Sequence, residues 1–444
     1  MAKLSGKNGK SSLILCRTSR GVIEKGIPII IKGEGTRVFD SEGKAYLDLT
    51  SGVTRPVHVG HGRKDLAEAV GKQAAELAYF TPMHFTNQPA IELADTLSTI
   101  TPDTVSNFFF VCDGSEAVES AMKLAKQHHF CRGEKHRFKV ISRRGAYHGV
   151  TLLALRAMGT VLSMKHTMEP LTPGSVFVES PYCYRCPLHL SYPNCELACA
   201  RDMRRIIEFE GPDHISAFIG EPIQQGFGAL APPPGYWELI RKICEDYGIL
   251  LIIDEVICGF GRTGRWFALE HFGIKPDIIT MAKGISSGYV PLGAVGCTDD
   301  VIDPIDTFEH IHTYANHPVS CAAGVKNIEI LKQEKLIERA SEIGVYFLES
   351  LKSLEEHSIV AEVRGTGLWL GIDFTVNKKT REVFPLDRLW NIVNRAQEKG
   401  LIIKLMGQAL ELAPPLIIEK SEIDEGVKII QECVAEEEKD MGLA

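Results

Sequence analysis

Residues 249–264 read ILLIIDEVICGFGRTG: five consecutive apolar residues, then Asp254, then a glycine-rich turn. An apolar run without alternation suits a strand covered on both faces, as in a parallel sheet with helices above and below it. Four further runs of this kind, Phe108 to Cys112, Val140 to Ser142, Ala217 to Gly220 and Ile278 to Met281, alternate with amphipathic stretches. Together they predict an α/β fold whose large domain is built on a mostly parallel sheet. Outside that region the pattern changes. GEGTRVFDSEGKAYLDL (33–49) alternates short segments with glycine turns, as in a β meander. Asp65 is placed to cap a helix carrying Leu66, Ala69, Val70, Gln73 and Leu77. After Pro318 helical periodicity dominates, broken by a β-like segment from Gly365 to Phe374. The expected division is residues 1–64 as an N-terminal segment contributing to a smaller α+β domain, 65–320 as the large domain, and 321–444 as the C-terminal part of the smaller one.

Composition narrows the function. The chain of 444 residues is 44% hydrophobic and 24% charged, the make-up of a globular enzyme. A formal net charge of −8 offers no long-range attraction for nucleic acid or an anionic membrane, so neither is expected as a partner. No apolar run reaches the roughly 18 residues of a membrane-spanning helix. The opening MAKLSGKNGKSS lacks the apolar stretch of a signal peptide, and its Lys3, Lys7 and Lys10 read as a frayed tail. A cytoplasmic location is expected, where the 12 cysteines would stay reduced.

Four features carry chemistry, and most sit where a predicted strand ends, the edge at which open α/β sheets bind ligands. Asp254 closes the first run; a carboxylate there either serves a ligand or caps the next element. Lys283 closes PDIITMAKGISSGY (276–289) and is followed by a flexible Gly-Ile-Ser-Ser-Gly that permits close approach of a ligand, although a lone lysine is more often a solvated group. In FFFVCDGSEAVESAMKLAK (108–126) a strand runs into Gly114 and Ser115 and then a helix. The free N–H groups of a helix start bind phosphate, though Ser115 also reads as an ordinary cap. RRGAYHG (143–149) brings Tyr147 to a strand end, where an aromatic ring stacks on a flat ligand or packs in the core. A nucleophilic amine, a carboxylate, a phosphate cradle and an aromatic plate are together what pyridoxal phosphate requires.

In order along the chain, GSEAVE (114–119), YHG (147–149), EPIQ (221–224), IIDEVICGFGRTG (252–264), MAKG (281–284), HTYANHP (312–318) and VRGTGLWLG (363–371) resemble the class III pyridoxal-phosphate aminotransferases, from about residue 25 to 430. The resemblance implies the aspartate-aminotransferase type of fold, pyridoxal-phosphate fold type I. It implies pyridoxal 5'-phosphate as cofactor, held as a Schiff base by Lys283, with Asp254 opposite the pyridinium nitrogen. Gly114 and Ser115 would hold the phosphate together with Thr313 of a neighbouring subunit, and Tyr147 and Val256 would sandwich the ring. Arg364 would grip a substrate α-carboxylate, and Glu221 would pair with that arginine when an ω-amine is bound. The assembly implied is a homodimer or dimer of dimers with shared active sites. The small-molecule partners are an amino donor and a 2-oxo acid acceptor, used in turn by a ping-pong mechanism.

Ile257 and Val150 stand where many members have Gln and Arg, which is similar to the branch that moves ω-amino groups to pyruvate, as β-alanine and taurine aminotransferases do. Arg55 stands where that branch often has Trp, and is read either as a cation for a distal carboxylate or sulfonate or as a surface group. Asp113 beside the phosphate loop is favourable only if it points away. A racemase or aminomutase of the same fold is the alternative function. Finally, PYCYRCPLHLSYPNCELACA (181–200) spaces Cys183, Cys186, Cys195 and Cys199 as C-x-x-C and C-x-x-x-C. Structural zinc, plain apolar packing and disulfides all remain open there, and no metal is expected in the chemistry.

Overall fold

The computed structural model describes residues 14–19, 22–23, 26–160 and 162–443; the basic tail with Lys3, Lys7 and Lys10 lies outside them. Fifteen strands in three sheets are found among the described residues. β1 (Ile30–Glu34), β2 (Arg37–Asp40) and β3 (Ala45–Asp48) form the expected meander. The central sheet follows: β4 (Val105–Val111), β5 (Lys139–Arg143), β6 (Ser175–Val178), β7 (Ile215–Gly220), β8 (Leu250–Asp254), β9 (Ile278–Met281) and β10 (Gly293–Thr298). Its order is β4-β10-β9-β8-β7-β5-β6. The pairs from β9 through β8, β7 and β5 to β6 are parallel. Only β10 runs against both of its neighbours, β9 and β4. This is the mostly parallel sheet expected; the reversed strand was not legible, because GAVGCT is as apolar as the strands beside it.

Burial explains the unbroken runs. Every residue of β7 and β9 is buried. On one face of the sheet the helix Gly114–Cys131 presses Ala117, Val118, Ala121, Met122, Leu124 and Ala125 against Val140, Ala217, Ile219 and Ile252. The opposite face joins a larger core containing Phe218, Leu251, Ile253 and Trp237. Because the central strands run the same way, their carboxyl ends share one edge. Asp254 ends β8, Glu221 follows β7, and Lys283 stands two residues past β9.

The remaining strands are β11 (Val360–Thr366), β12 (Trp369–Phe374), β13 (Leu401–Ile402), β14 (Lys404–Met406) and β15 (Ala409–Leu412). β13 pairs in parallel with β3 through Leu401 opposite Leu47 and Ile402 opposite Asp48, so the N-terminal meander is completed by the C-terminal part of the chain. Two expectations change. The single β-like segment from Gly365 to Phe374 is a hairpin of β11 and β12 that turns at Gly367, where φ is +57°. Asp65 does not cap its helix. Lys64–Glu76 begins after Arg63, and Asp65 lies in the first turn, where it pairs with Arg63 at 2.8 Å.

The helix Leu336–Lys352 crosses the hairpin turn at Gly344, where an added Cβ would lie 2.2 Å from the Gly367 carbonyl oxygen. Alanine improves helix propensity by about 1 kcal/mol over glycine, but overpacking against backbone costs about 1–3 kcal/mol. The clash wins: Gly344→Ala should lower the midpoint of chemical or thermal unfolding, and an unchanged or higher midpoint would contradict this packing.

Candidate active site

At the shared strand edge lies a cavity of about 380 Å³, lined by Gly114, Ser115, Tyr147, His148, Glu221, Asp254, Val256 and Lys283 among others. Its size suits a small-molecule ligand. These residues, from Gly114 to Lys283, meet there because they stand at or just past the ends of five strands of one sheet, β4, β5, β7, β8 and β9.

Asp254 is fixed by three contacts. Its Oδ2 lies 2.7 Å from His148 Nδ1, and its Oδ1 accepts from the Val256 amide (3.1 Å) and the Thr280 hydroxyl (3.1 Å). Both side chains of the Asp254–His148 pair are nearly inaccessible, at 4% and 0%. In such surroundings a charge persists only when it is hydrogen-bonded and paired. The other ring nitrogen, His148 Nε2, is buried without a hydrogen-bond partner. Glu221, next along the wall, accepts from the amides of Gln225 (3.2 Å) and Tyr147 (3.4 Å) through Oε1. Its Oε2 stands 3.7 Å from Arg143 Nη2 and makes no hydrogen bond. Burial raises the Glu221 pKa, opposed by His148 and Arg143.

Lys283 sits one strand over from Asp254, since β8 and β9 pair with Asp254 opposite Thr280. Burial pushes its amine down to about 8, Arg55 pushes in the same direction, and Asp254 and Asp113 oppose the shift. Its backbone is left-handed, with φ +48°, a costly conformation for a side-chain-bearing residue. The next turn is pinned: Asn327 donates to the carbonyls of Gly284 (2.8 Å) and Ile285 (3.1 Å). An added Cβ at Gly284 would meet the His58 ring at 2.4 Å, so this position requires glycine.

The helix Gly114–Cys131 points its N-terminus at the cavity. Asp113 is its cap, accepting from the Glu116 amide at 2.8 Å, while Glu116 reaches back to the Cys112 amide at 2.8 Å. The Asp113 carboxylate is thereby tied to the helix end. Ser115 Oγ accepts from the Val150 amide at 3.2 Å. Any side chain at Gly149 would collide with Ser115, its Cβ falling 2.7 Å from Oγ.

Three expected site residues are not in the cavity wall. Thr313 is exposed, and its carbonyl accepts from the Tyr79 hydroxyl at 2.6 Å. Arg364 is engaged elsewhere: its guanidinium binds Asp373 (3.0 Å), the Gly228 carbonyl (2.9 Å), Glu362 and the Phe227 carbonyl. It forms no ion pair with Glu221, whose cationic neighbour is Arg143. These contacts describe Arg364 without a substrate carboxylate beside it. Arg55 is not a surface group, nor is it an open anion site. It is 2% exposed, and its fork is closed on Glu411 at 2.8 and 2.5 Å, with Trp369 Nε1 on the same carboxylate.

His148, Arg143 and Lys404 are further charged or titratable residues around the site that the motifs did not single out. Lys404, on β14, donates to the Val53 carbonyl at 2.9 Å. Burial and then Arg55 push its amine down to about 7, and Lys283 is among its electrostatic neighbours. A signal existed: Lys404 interrupts the apolar run Leu401-Ile402-Ile403 and Leu405-Met406.

Comparison with known proteins agrees with this geometry. The model of the family described as aminotransferase class-III matches residues 23–434. A putrescine–pyruvate aminotransferase of Pseudomonas aeruginosa is 35% identical, with 93% of this chain and 91% of that protein covered. A taurine–pyruvate aminotransferase of Bilophila wadsworthia is 37% identical, with 94% of each covered. Among solved structures, the omega transaminase from Pseudomonas jessenii in complex with PMP superposes with a TM-score of 0.94 at 31% identity, over 97% of this chain and 98% of that one. The fold is therefore the pyridoxal-phosphate fold type I that the sequence led us to expect. No helix among the described residues is long and apolar enough to cross a membrane.

The depressed Lys283 pKa has a direct consequence. In cofactor-free protein its amine should become reactive toward an acylating reagent as pH rises through about 8, whereas an ordinary lysine follows its usual value of 10.5. Peptide mapping of acylation against pH reads this out; a Lys283 midpoint near 10 would contradict the environment described.

Proposed function

The chain belongs to the class-III aminotransferases, enzymes that work with pyridoxal phosphate, and we propose that it transfers the amino group of an ω-amino acid or amine to pyruvate. The observation that carries the reading is the buried pair of opposite character at neighbouring strand ends, the carboxylate of Asp254 and the low-pKa amine of Lys283. Pyruvate as acceptor is supported by the names of both relatives described above.

The cavity fits the cofactor. Lys283 offers a primary amine for its aldehyde, Asp254 an anion for its ring nitrogen, and Gly114 and Ser115 at the helix N-terminus a place for its phosphate. Tyr147 and Val256 are walls for the ring faces. When bound, pyridoxal phosphate supplies a conjugated ring that accepts the electron pair left as the C–H bond beside the amino group ionises. The chain's residues do the rest. Lys283 Nζ, neutral above about pH 8, takes the proton from the donor carbon and returns it on the product side. Asp254 keeps its charge aimed at one point, because His148, Thr280 and the Val256 amide leave it no freedom to turn. The same cavity serves donor and acceptor in succession.

Arg364 stays assigned to an α-carboxylate, as its motif implies, and Lys404, an electrostatic neighbour of Lys283 that donates to a neutral carbonyl which an anion readily replaces, is a second cation for the acceptor carboxylate. Glu221, with one oxygen unbonded, suits the distal amine of a diamine-like donor. The protein acts as a homodimer. Phe80, Met83, Phe85, Ile311 and Tyr314 are 46–64% exposed around Thr313, an apolar surface of the kind that a second copy covers, and Thr313 of the partner subunit completes the phosphate site. Nothing in the geometry favours a racemase or aminomutase over transfer.

Activity with β-alanine, taurine, 4-aminobutyrate and putrescine against pyruvate and 2-oxoglutarate tests the reading; no turnover with any donor and pyruvate would overturn it. Lys283→Ala should abolish turnover. Asp254→Asn should lower kcat about 1000-fold, roughly 4 kcal/mol of barrier. A near-normal rate in either variant would remove that residue from the chemistry. Lys404→Met should raise the KM for pyruvate about 10- to 100-fold, the loss of a charge-assisted hydrogen bond of about 1.5–3 kcal/mol, and leave the KM for an amine without a carboxylate nearly unchanged.

A further inference from the structure

The left-handed backbone of Lys283 opens a single short turn, Lys283–Ile285, and a residue with a side chain keeps that conformation only where its surroundings over-determine it. Part of the hold comes from residues 56–63, more than 200 positions earlier in the chain. The Val59 amide donates to the Ser287 hydroxyl at 3.3 Å. The Tyr289 hydroxyl donates to the Gly60 carbonyl (2.9 Å) and accepts from the Arg63 amide (2.6 Å). Pro56 packs on Gly288, where a Cβ would lie 3.0 Å from the proline ring.

His58 stands in the middle of this contact. It is 1% exposed, and its carbonyl accepts from the Leu416 amide at 2.8 Å. Its Nδ1 lies 2.8 Å from the Phe260 carbonyl, which only accepts, so Nδ1 carries the proton. The same ring is packed on Gly284, where a Cβ would stand 2.6 Å from Nδ1. Phe260 belongs to the loop that follows Asp254, so one imidazole touches both the turn of Lys283 and the loop of its acidic partner. The ring is neutral: burial pushes its pKa well below the usual value, and the charges of Arg262 and Lys283 push the same way, against the hydrogen bonds to backbone. His58 is not among the residues that line the cavity, so it acts on a ligand only through others.

We infer that His58 is a positioning residue for Lys283: an imidazole tied to the Phe260 carbonyl that wedges the turn at Gly284 and so aims the amine. Proton transfer at a fixed carbon tolerates little displacement, since a misplacement of about 1 Å costs up to about 100-fold in rate. The inference rests on Lys283 as the proton carrier of the proposed reaction, while the wedge itself is a property of the protein alone.

Two substitutions separate positioning from mere filling of space. Leu fills the volume of the ring but leaves the buried Phe260 carbonyl without a donor. Asn is smaller, yet its amide nitrogen stands where Nδ1 does and keeps the donor. In holoenzyme, with pyruvate and the donor that wild type uses fastest, His58→Leu should lower kcat about 10- to 100-fold with the donor KM nearly unchanged. His58→Asn should recover most of that loss. Simple core packing predicts the opposite order. The second readout needs neither cofactor nor substrate: hydrogen exchange in cofactor-free protein. The Ile285 and Ser286 amides, which bond to Ala282 and Lys283 within the turn, should exchange as slowly in wild type as those of β9, and faster in the Leu variant. This readout distinguishes failure of the wedge from failure of the proposed reaction, and it decides alone, in wild type, if the Leu variant does not fold. Exchange of these two amides at the rate of open loops overturns the inference. So does a Leu variant within about twofold of wild-type kcat, or an Asn variant as impaired as the Leu one.

Discussion

The 2.7 Å contact from Asp254 Oδ2 to His148 Nδ1 is the interaction on which the rest of the site depends. A carboxylate at the end of a buried strand is tenable only with partners that leave none of its charge unanswered. Three of them come from different places: the loop after β5, the adjacent strand β9 and the turn after Asp254 itself. Correct placement of Asp254 therefore requires β5, β8 and β9 to be in register. The sheet is, in effect, tuned by one anion.

The cations answer to the same constraint. Arg55 makes both Lys283 and Lys404 harder to protonate, and Lys283 adds to the effect on Lys404. Glu411 neutralises the first, through a bidentate contact that Trp369 also joins. The cavity wall itself sets three carboxylates, Asp113, Glu221 and Asp254, beside the amine of Lys283.

The large sheet was legible in the sequence because strands buried on both faces leave an unbroken apolar signature. The strand-end residues Asp254, Lys283, Ser115 and Tyr147 were legible for a related reason, since each follows such a run. Contacts between distant segments were not. Glu221 opens a recognisable EPIQ, but its cation, Arg143, sits at the end of another strand where it looks like any surface arginine; it is in fact 0% exposed, stacked toward Trp237 and Tyr236. Arg364 is a related case: its motif matches a family pattern, and its partner Asp373, nine residues on in the adjacent strand β12, is not marked by that motif. Local sequence indicates which residues reach a sheet edge, but the pairing of charges there is set by tertiary approach. The reversed β10 was hidden for yet another reason, because direction leaves no trace in composition.

One feature of the fold reaches beyond the site. Leu47 of β3 finds its parallel partner in Leu401 of β13, a closure across 354 positions of chain. At synthesis rates of about 5–20 residues per second, the wait for that partner is on the order of tens of seconds. During that interval the meander offers the unpaired backbone of β3 as an open edge, which invites pairing with other nascent chains. Lys44 at the start of β3, and Lys32 and Glu34 on β1, put charge along this exposed hairpin. On the ribosome, then, the meander is made long before the strand that completes it, and its charges are the protection it carries meanwhile.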